Sequence, residues 1–217
     1  MKIFIPIKEN SQRVKGKNFR KFLNEPLYKH TLLKLKCFDV FIDTDSNEIF
    51  QEIYDDSRLS NVTVFKRRDN LIGDEVSVCD LIHSWIKDHN IDGNVCQLHV
   101  TSPFLRRETI INSQKKLREG FDSVVACNKL HTRLWRKERY GFCPINHNPI
   151  KLEQTQDLPA YYEENSLFYI FSSQYFLKTG MRVGVNPFFY ESNFPENIDI
   201  DTEDDWSLAV SIGEKYR

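Results

Sequence analysis

The chain predicts an α/β protein, a three-layer α/β/α sandwich around a mostly parallel sheet with one small excursion. Two observations carry that prediction. Short apolar runs alternate with amphipathic stretches over the first 128 residues, the order of repeated strand–helix units. The first run, residues 2–7, feeds directly into a cationic, Gly-containing loop. An open parallel sheet presents its ligand-binding groups in such loops, outside the carboxyl ends of its strands. With 217 residues the chain suits one domain and can bury a substantial core.

The elements follow in order. Apolar runs give strands at 3–7, 40–43, 62–65, 95–100 and 123–127. Between them, Pro26 suits a first helical turn and opens a helix over 27–35. Ser46 or Asn47 caps the next, over 48–54. Val78, Ile82, Trp85 and Ile86 share one face of a helix from about 75 to 89, and 107–118 forms another. The alternation stops after Lys129. Residues 130–165 are rich in Arg, Tyr, Pro and Asn, with Gly141, Pro144, Pro149 and Pro159 as punctuation, and read as an excursion from the sheet. Its aromatics (Trp135, Tyr140, Phe142, Tyr161, Tyr162) need burial, either on the parent domain or against a second subunit. A strand returns at 167–171, followed by a short helix over 174–179. The chain closes with an apolar stretch at 198–201 and a helix over 203–214, capped by Thr202 with Asp205 three residues on.

Lysines and arginines number 30 and acids 31, for a formal net charge of −1. Positive charge is therefore local, which argues against a general nucleic-acid binder. No apolar run approaches membrane-spanning length, and residues 1–7 are too short for a signal peptide. The five cysteines (Cys37, Cys79, Cys96, Cys127, Cys143) are widely spaced and form no CxxC pair. They suggest neither a zinc site nor a disulfide framework, read as small buried hydrophobes, and fit a reducing cytoplasm.

Four segments can carry chemistry. The loop over 8–21 holds six cationic side chains and one acid. It suits either a bound polyphosphate or a solvated surface, and alone it does not choose. Gly16-Lys17 is not a Walker-type loop, because Ser11 and Asn18 stand where that motif needs Gly and Ser or Thr. In a phosphate-binding geometry Lys17 would neutralise the outer phosphates, with Arg13 and Lys8 on either side. Asp199 and Asp201 come next. Two residues apart on a strand, they point to one face, and a divalent cation relieves their repulsion. Glu203 and Asp204 read instead as acids decorating a helix N-terminus. Asp43 and Asp45 share the aspartate spacing but precede Ser46 and Asn47, and read as a turn or helix cap. His99 sits at the ligand-facing end of the 95–100 strand, where a lone histidine is more often a hydrogen-bonded core residue. Arg68 and Ser77 suit contacts to a base or ribose and equally suit ordinary loop roles.

Six segments in register across nearly the whole chain resemble the acylneuraminate (nonulosonic acid) cytidylyltransferases. They are 5–18, 41–46, 68–77, 101–106, 162–170 and 199–205. The resemblance implies a Rossmann-like sheet of the nucleotidyltransferase type and transfer of CMP from CTP to the anomeric hydroxyl of an acidic nine-carbon sugar, with release of pyrophosphate. It implies that Lys8, Lys17 and Asp201 are catalytic and that Lys8, Asn10, Ser11, Arg13, Lys17, Asn18, Arg68, Asp74 and Ser77 bind the nucleotide. His99, Thr101, Ser102, Arg136, Asn165 and Tyr169 would face the sugar. Asp199 and Asp201 would hold Mg²⁺ or Mn²⁺, and the proton acceptor stays open between Asp201 and a metal-bound hydroxide. It further implies a cytoplasmic homodimer, with 130–165 as the dimerisation arm, and neither nucleic acid nor membrane as partner.

This chain departs from the family's usual residues at Lys8 (Arg), Lys15 (Pro), His99 (Gln) and Ser166 (Gly). Lys8 keeps the charge and loses the planar fork. A titrating His99 would make sugar binding pH-sensitive. Two rival readings remain. One is a glycosyltransferase, whose Asp-x-Asp pair generally lies mid-chain, unlike the late pair here. The other is a nucleotide-binding homologue without turnover.

Overall fold

The inner strands of the central sheet are apolar and, in the computed structural model, buried over most of their length, whereas the two edge strands are only partly covered. The structure describes residues 1–11 and 13–215. In chain order the strands are β1 (Lys2–Ile7), β2 (Lys21–Phe22), β3 (Glu25–Pro26), β4 (Asp39–Thr44), β5 (Val62–Lys66), β6 (Asn94–Leu98), β7 (Ser123–Leu130), β8 (Trp135–Glu138), β9 (Gly141–Pro144), β10 (Tyr161–Ser172) and β11 (Pro187–Glu191). The helices are α1 (Leu27–Lys34), α2 (Asn47–Asp55), α3 (Val78–Asp88), α4 (Arg107–Lys115), α5 (Ser173–Thr179) and α6 (Glu203–Lys215). Seven strands form one sheet in the order β11-β7-β10-β6-β1-β4-β5. All neighbours are parallel except at β10, which runs antiparallel to both β6 and β7.

Alternation along β1 builds the three layers. Ile3, Ile5 and Ile7 join a core with Tyr28 and Leu32 of α1, Ile49 and Ile53 of α2, and Ile110 of α4. Phe4 points the other way, into a second core with Leu81, Ile82, Trp85 and Ile86 of α3 and Phe176 of α5, and stacks on Trp85 with ring centroids 4.8 Å apart. A third, small core joins Phe22 and Leu27 to Ile200, Trp206 and Ala209. It pins the start of α6, and the aspartates just before it, against the turn that follows the cationic loop.

The structure moves several expected boundaries. The strand expected at 95–100 ends at Leu98, and 107–118 divides into α4 and a 3₁₀ turn at Lys116–Glu119. Pro26 lies in β3, just before α1, and Ser46 caps α2 by accepting from the Ile49 N–H. The strand expected at 167–171 begins at Tyr161, so the last residues of the expected excursion belong to the sheet. β11 was not anticipated. It starts with a proline at the sheet edge, where a missing N–H is harmless. Residues 198–201 form no strand, and their tie to the sheet is the Ile200 N–H donating to the Thr101 carbonyl at 2.9 Å. The Thr202–Asp205 cap is present in both directions, at 2.8 and 3.2 Å.

The segment between β7 and β10 stands off the sheet as the β8–β9 hairpin and an irregular return. The parent domain leaves its apolar side chains exposed: Tyr140 at 88%, Phe142 at 67%, Ile150 at 94% and Leu152 at 86%. No helix among the described residues is long and apolar enough to cross a membrane. All five cysteines are free. Cys96 and Cys127 are buried as expected, whereas Cys37 is exposed.

Candidate functional site

The loop after β1 is held in shape before any ligand is considered. Val14 is fully buried and anchors its middle. Gly16 takes φ +62°, a left-handed turn that costs glycine nothing. Its carbonyl then accepts from the N–H groups of Phe19 and Arg20 at 3.0 and 3.1 Å. Asn18 closes the loop by donating from Nδ2 to the Lys8 carbonyl at 2.8 Å. Lys8 donates to the Gly73 carbonyl at 3.3 Å and lies 3.5 Å from Asp74.

This loop meets the aspartate segment. Lys17, only 7% exposed, donates to the Ile200 carbonyl, and its Nζ lies 3.5 Å from Asp201 Oδ1. Arg13 reaches the other oxygen of Asp201 at 2.9 Å. Ile200 is buried beneath, so Asp199 and Asp201 project toward the same space even without strand pairing. Ser102 donates to Asp199 Oδ1 at 3.2 Å. Burial pushes the Asp199 carboxyl above the usual carboxylate range, and its neighbour Asp201 adds to the rise.

Together these groups border a cavity of about 550 Å³ at the carboxyl ends of β1, β5 and β6. Lys8, Asn10, Ser11, Arg13, Lys17 and Asn18 line one side, and Asp199 and Asp201 close it. Asp74, Thr101 and His99 also border it. The opposite wall is apolar, with Pro6 from β1 and Val76, Val78 and Leu81 at the start of α3. A second cavity of about 440 Å³ adjoins the first and shares Ser166, Asp199 and Asp201 with it. Its further lining includes Asn128, Asn165 and Asn197.

Six expected site residues stand outside the first cavity. Arg68 turns outward to Asp88, 2.5 Å away, and the neighbouring Arg67 enters the cavity instead. Arg67 continues the β5 ladder, its N–H donating to the Thr44 carbonyl at 2.8 Å, which puts its side chain on the Phe65 face. There it is buried against Asp43 at 2.5 Å and lies 3.8 Å from Asp45. Asp43 is thus neither a turn nor a cap residue but the buried partner that holds Arg67 in place. Counting two residues from Phe65 would have found it. Ser77 is the N-cap of α3, in a reciprocal box with Asp80. Tyr169 is buried and donates to Glu164 at 2.7 Å. Arg136 lies on the exposed hairpin, 2.6 Å from Glu138. Ser102 is buried behind Asp199, outside the cavity lining. Asn165 borders the second cavity, tied to Asn128 and Ser192 at 3.0 and 2.5 Å. Gln97 and Arg182, linked to His99, were also missed, although an amide inside an apolar strand was a visible signal.

His99 does not titrate near neutrality. Burial and the nearby charges of Arg182 and Lys17 push it down to about 4. The expected pH sensitivity therefore gives way to a neutral ring. The aspartate pair suits a divalent cation, because hard oxygen donors facing an anion-binding loop match the preference of Mg²⁺ or Mn²⁺. Among the described residues no group of three His, Cys, Asp or Glu forms a metal site. A cation there would draw its other ligands from substrate and water.

The sequence model of the cytidylyltransferase family matches residues 3–216. N-acylneuraminate cytidylyltransferase A of Danio rerio is 27% identical over 78% of this chain and 40% of its own length. CMP-N,N'-diacetyllegionaminic acid synthase of Legionella pneumophila is 28% identical over 97% of this chain and 94% of its own. An N-acylneuraminate cytidylyltransferase of Streptococcus agalactiae is 25% identical over 95% and 51%. The chain thus spans about half or less of the zebrafish and streptococcal relatives and nearly all of the Legionella one. Among solved structures, CMP:2-keto-3-deoxy-manno-octonic acid synthetase complexed with CTP superposes with a TM-score of 0.69 over 99% of this chain and 98% of its own, at 14% identity. The 4-diphosphocytidyl-2C-methyl-D-erythritol synthase of Anaerococcus prevotii gives 0.68 over 98% of this chain and 96% of its own, at 12% identity. At these identities the likeness is one of fold.

Proposed function

The chain belongs to the cytidylyltransferase family, and we propose that it activates a nonulosonic, sialic-acid-like sugar with CTP. The supporting observation is the cluster of Lys17 and Arg13 on Asp201, at 3.5 and 2.9 Å across more than 180 residues of chain. Cations for a polyphosphate and carboxylates for its counter-ion stand at one point of one cavity. The relatives' names supply the substrate class: two act on N-acylneuraminate and one makes CMP-diacetyllegionaminate.

In this reading Lys8, Arg13 and Lys17 hold the triphosphate, with Asn10, Ser11 and Asn18 as polar contacts in the same loop. The apolar wall and Arg67 flank the nucleoside. Asp199 and Asp201 would hold Mg²⁺ or Mn²⁺, which when bound supplies charge neutralisation on phosphate. The sugar reaches the aspartates from the adjoining cavity and extends past them to His99 in the first. Its anomeric oxygen bonds to the α-phosphorus as the bond to the β-phosphate oxygen breaks. Pyrophosphate leaves, and the hydroxyl proton passes to a carboxylate of the pair. The protein contributes positioning and charge complementarity, which carry most of the rate enhancement in such transfers. The exposed apolar hairpin supports a homodimer with the 130–165 arm at the interface, and the five free cysteines support a reducing, cytoplasmic setting.

Pyrophosphate release over a panel of ulosonic and nonulosonic acids, with CTP set against the other nucleotides, tests the reading. CTP-dependent release with a nonulosonate is the expected result. Release of UDP or GDP from a sugar nucleotide would identify a glycosyltransferase instead, and CTP binding without pyrophosphate from any acid a non-catalytic homologue.

A further inference from the structure

Gln97 is an amide in the middle of apolar β6 and is fully buried. A buried amide needs partners at both ends, and both ends have them. Arg182 donates from Nη1 to Gln97 Oε1 at 2.6 Å, while its guanidinium lies 3.9 Å from the centroid of the Tyr169 ring. Gln97 Nε2 lies 2.9 Å from His99 Nε2.

The donors and acceptors leave a single assignment. Arginine has donors and no acceptor, so it must face the carbonyl end of the amide. The NH₂ end, a donor only, then faces the imidazole, and His99 Nε2 must accept. A ring that accepts at Nε2 is neutral and carries its proton on Nδ1. Burial favours the same neutral form, as do Arg182 and Lys17, and among the charges near the ring Asp201 opposes it. His99 borders the cavity, and its hydrogen bond to Gln97 leaves Nδ1 without a partner among the described residues.

We propose that Arg182 is a positioning residue for the acceptor sugar: through Gln97 it holds His99 as the Nδ1–H tautomer, so that the cavity offers a donor to an oxygen of that sugar. The proposal rests on the sugar-activating reading of the cavity. An acylamido carbonyl, carboxylate or hydroxyl oxygen satisfies this ring, and a protonated amine at the same point does not.

The tautomer can be read in the resting protein by nitrogen-15 spectroscopy of labelled histidine at neutral pH, with His99 assigned by its loss in His99→Gln. The expected spectrum has the proton on Nδ1 and a bare Nε2. Gln97→Glu puts a carboxylate oxygen against the ring and is expected to move the proton to Nε2. A wild-type ring protonated at Nε2 or at both nitrogens overturns the proposal, and so does an unmoved proton in Gln97→Glu. In turnover, Arg182→Leu is expected to raise KM for the acceptor about tenfold, with kcat and KM for CTP within about twofold. No change, or an equal change in KM for CTP or in kcat, overturns it. If Arg182→Leu does not fold, the other two spectra still decide. Those spectra need no substrate, so failure of the proposed reaction in the pyrophosphate assay is a separate result.

Discussion

The ammonium of Lys17 lies almost wholly out of water, a position lysines tolerate only with partners. Its partners here are the segment that carries the aspartates. Lys17→Ala is expected to raise KM for CTP by the equivalent of about 1–3 kcal/mol, the range for one charge-assisted contact. Pyrophosphate release against CTP concentration measures it, and unchanged KM and kcat would remove this loop from phosphate binding. Asp201→Asn should abolish turnover while the circular dichroism spectrum stays that of the wild type; near-normal turnover would remove the metal assignment. Ser166 makes a different point. It adopts φ +57° in the bulge of β10 between Glu164 and Tyr169, a left-handed conformation that costs a side chain about 1–2 kcal/mol. Ser166→Gly should raise stability by about 0.5–1 kcal/mol after the glycine's own chain entropy is counted. A lower urea midpoint would show that the serine side chain repays the strain through its contacts.

Among the elements, two of the caps and the existence of most strands were legible, whereas strand ends and partners were not. Ser46 and Thr202 each stand before an amphipathic or acidic stretch and each starts a helix as expected, while Ser77, read as a base or ribose contact, starts α3 in the same way. A sequence marks such a start locally, because the capping oxygen and the N–H it accepts from are a few residues apart. The ladder that sorts Arg67 from Arg68 is a pairing with β4, more than 20 residues away in the chain; alternation from Phe65 marks the face Arg67 takes but not the buried Asp43 that holds it there. The same reason hid the reversed direction of β10 and the edge strand β11. The aspartate pair was legible for a reason other than the one expected. Alternation survives at 199–201 because Ile200 is buried, although one hydrogen bond to Thr101 stands in for a ladder. Ser77 provides the test at this scale. Its hydroxyl donates to Asp80 at 2.7 Å and accepts from the Asp80 N–H at 3.2 Å, so Ser77→Ala should cost about 1 kcal/mol of stability. KM for CTP should stay at the wild-type value, and a selective rise in it would return Ser77 to the nucleotide site.

For the whole molecule, two features lie beyond any single element. The apolar hairpin predicts that the purified protein sediments as a dimer and that Phe142→Ser combined with Ile150→Ser yields a folded monomer; a monomeric wild type would leave the arm without its proposed role. The second feature is the response to acid. His30 lies on α1 and His99 just beyond β6, and both are pushed down to about 4, in each case chiefly because burial penalises the charged ring. His30 also lies against the Pro103 carbonyl at 3.2 Å, which favours the proton, but Lys34 beside it opposes a second charge. The unfolded chain binds protons at these rings below about 6.5, and the folded chain does not until about 4. Stability is therefore fully present above the unfolded value and lost as pH falls through that window. At pH 5 the loss is about 2 kcal/mol per ring. The buried carboxyl of Asp199, raised rather than lowered, works in the opposite direction and moderates the fall. Urea midpoints at pH 7 and pH 5 measure the effect. His30→Gln combined with His99→Gln keeps polar side chains at both positions and removes the titrations, so its midpoint should change much less between the two pH values. If the double variant loses as much stability as the wild type, the acid sensitivity arises elsewhere and these rings are not its source.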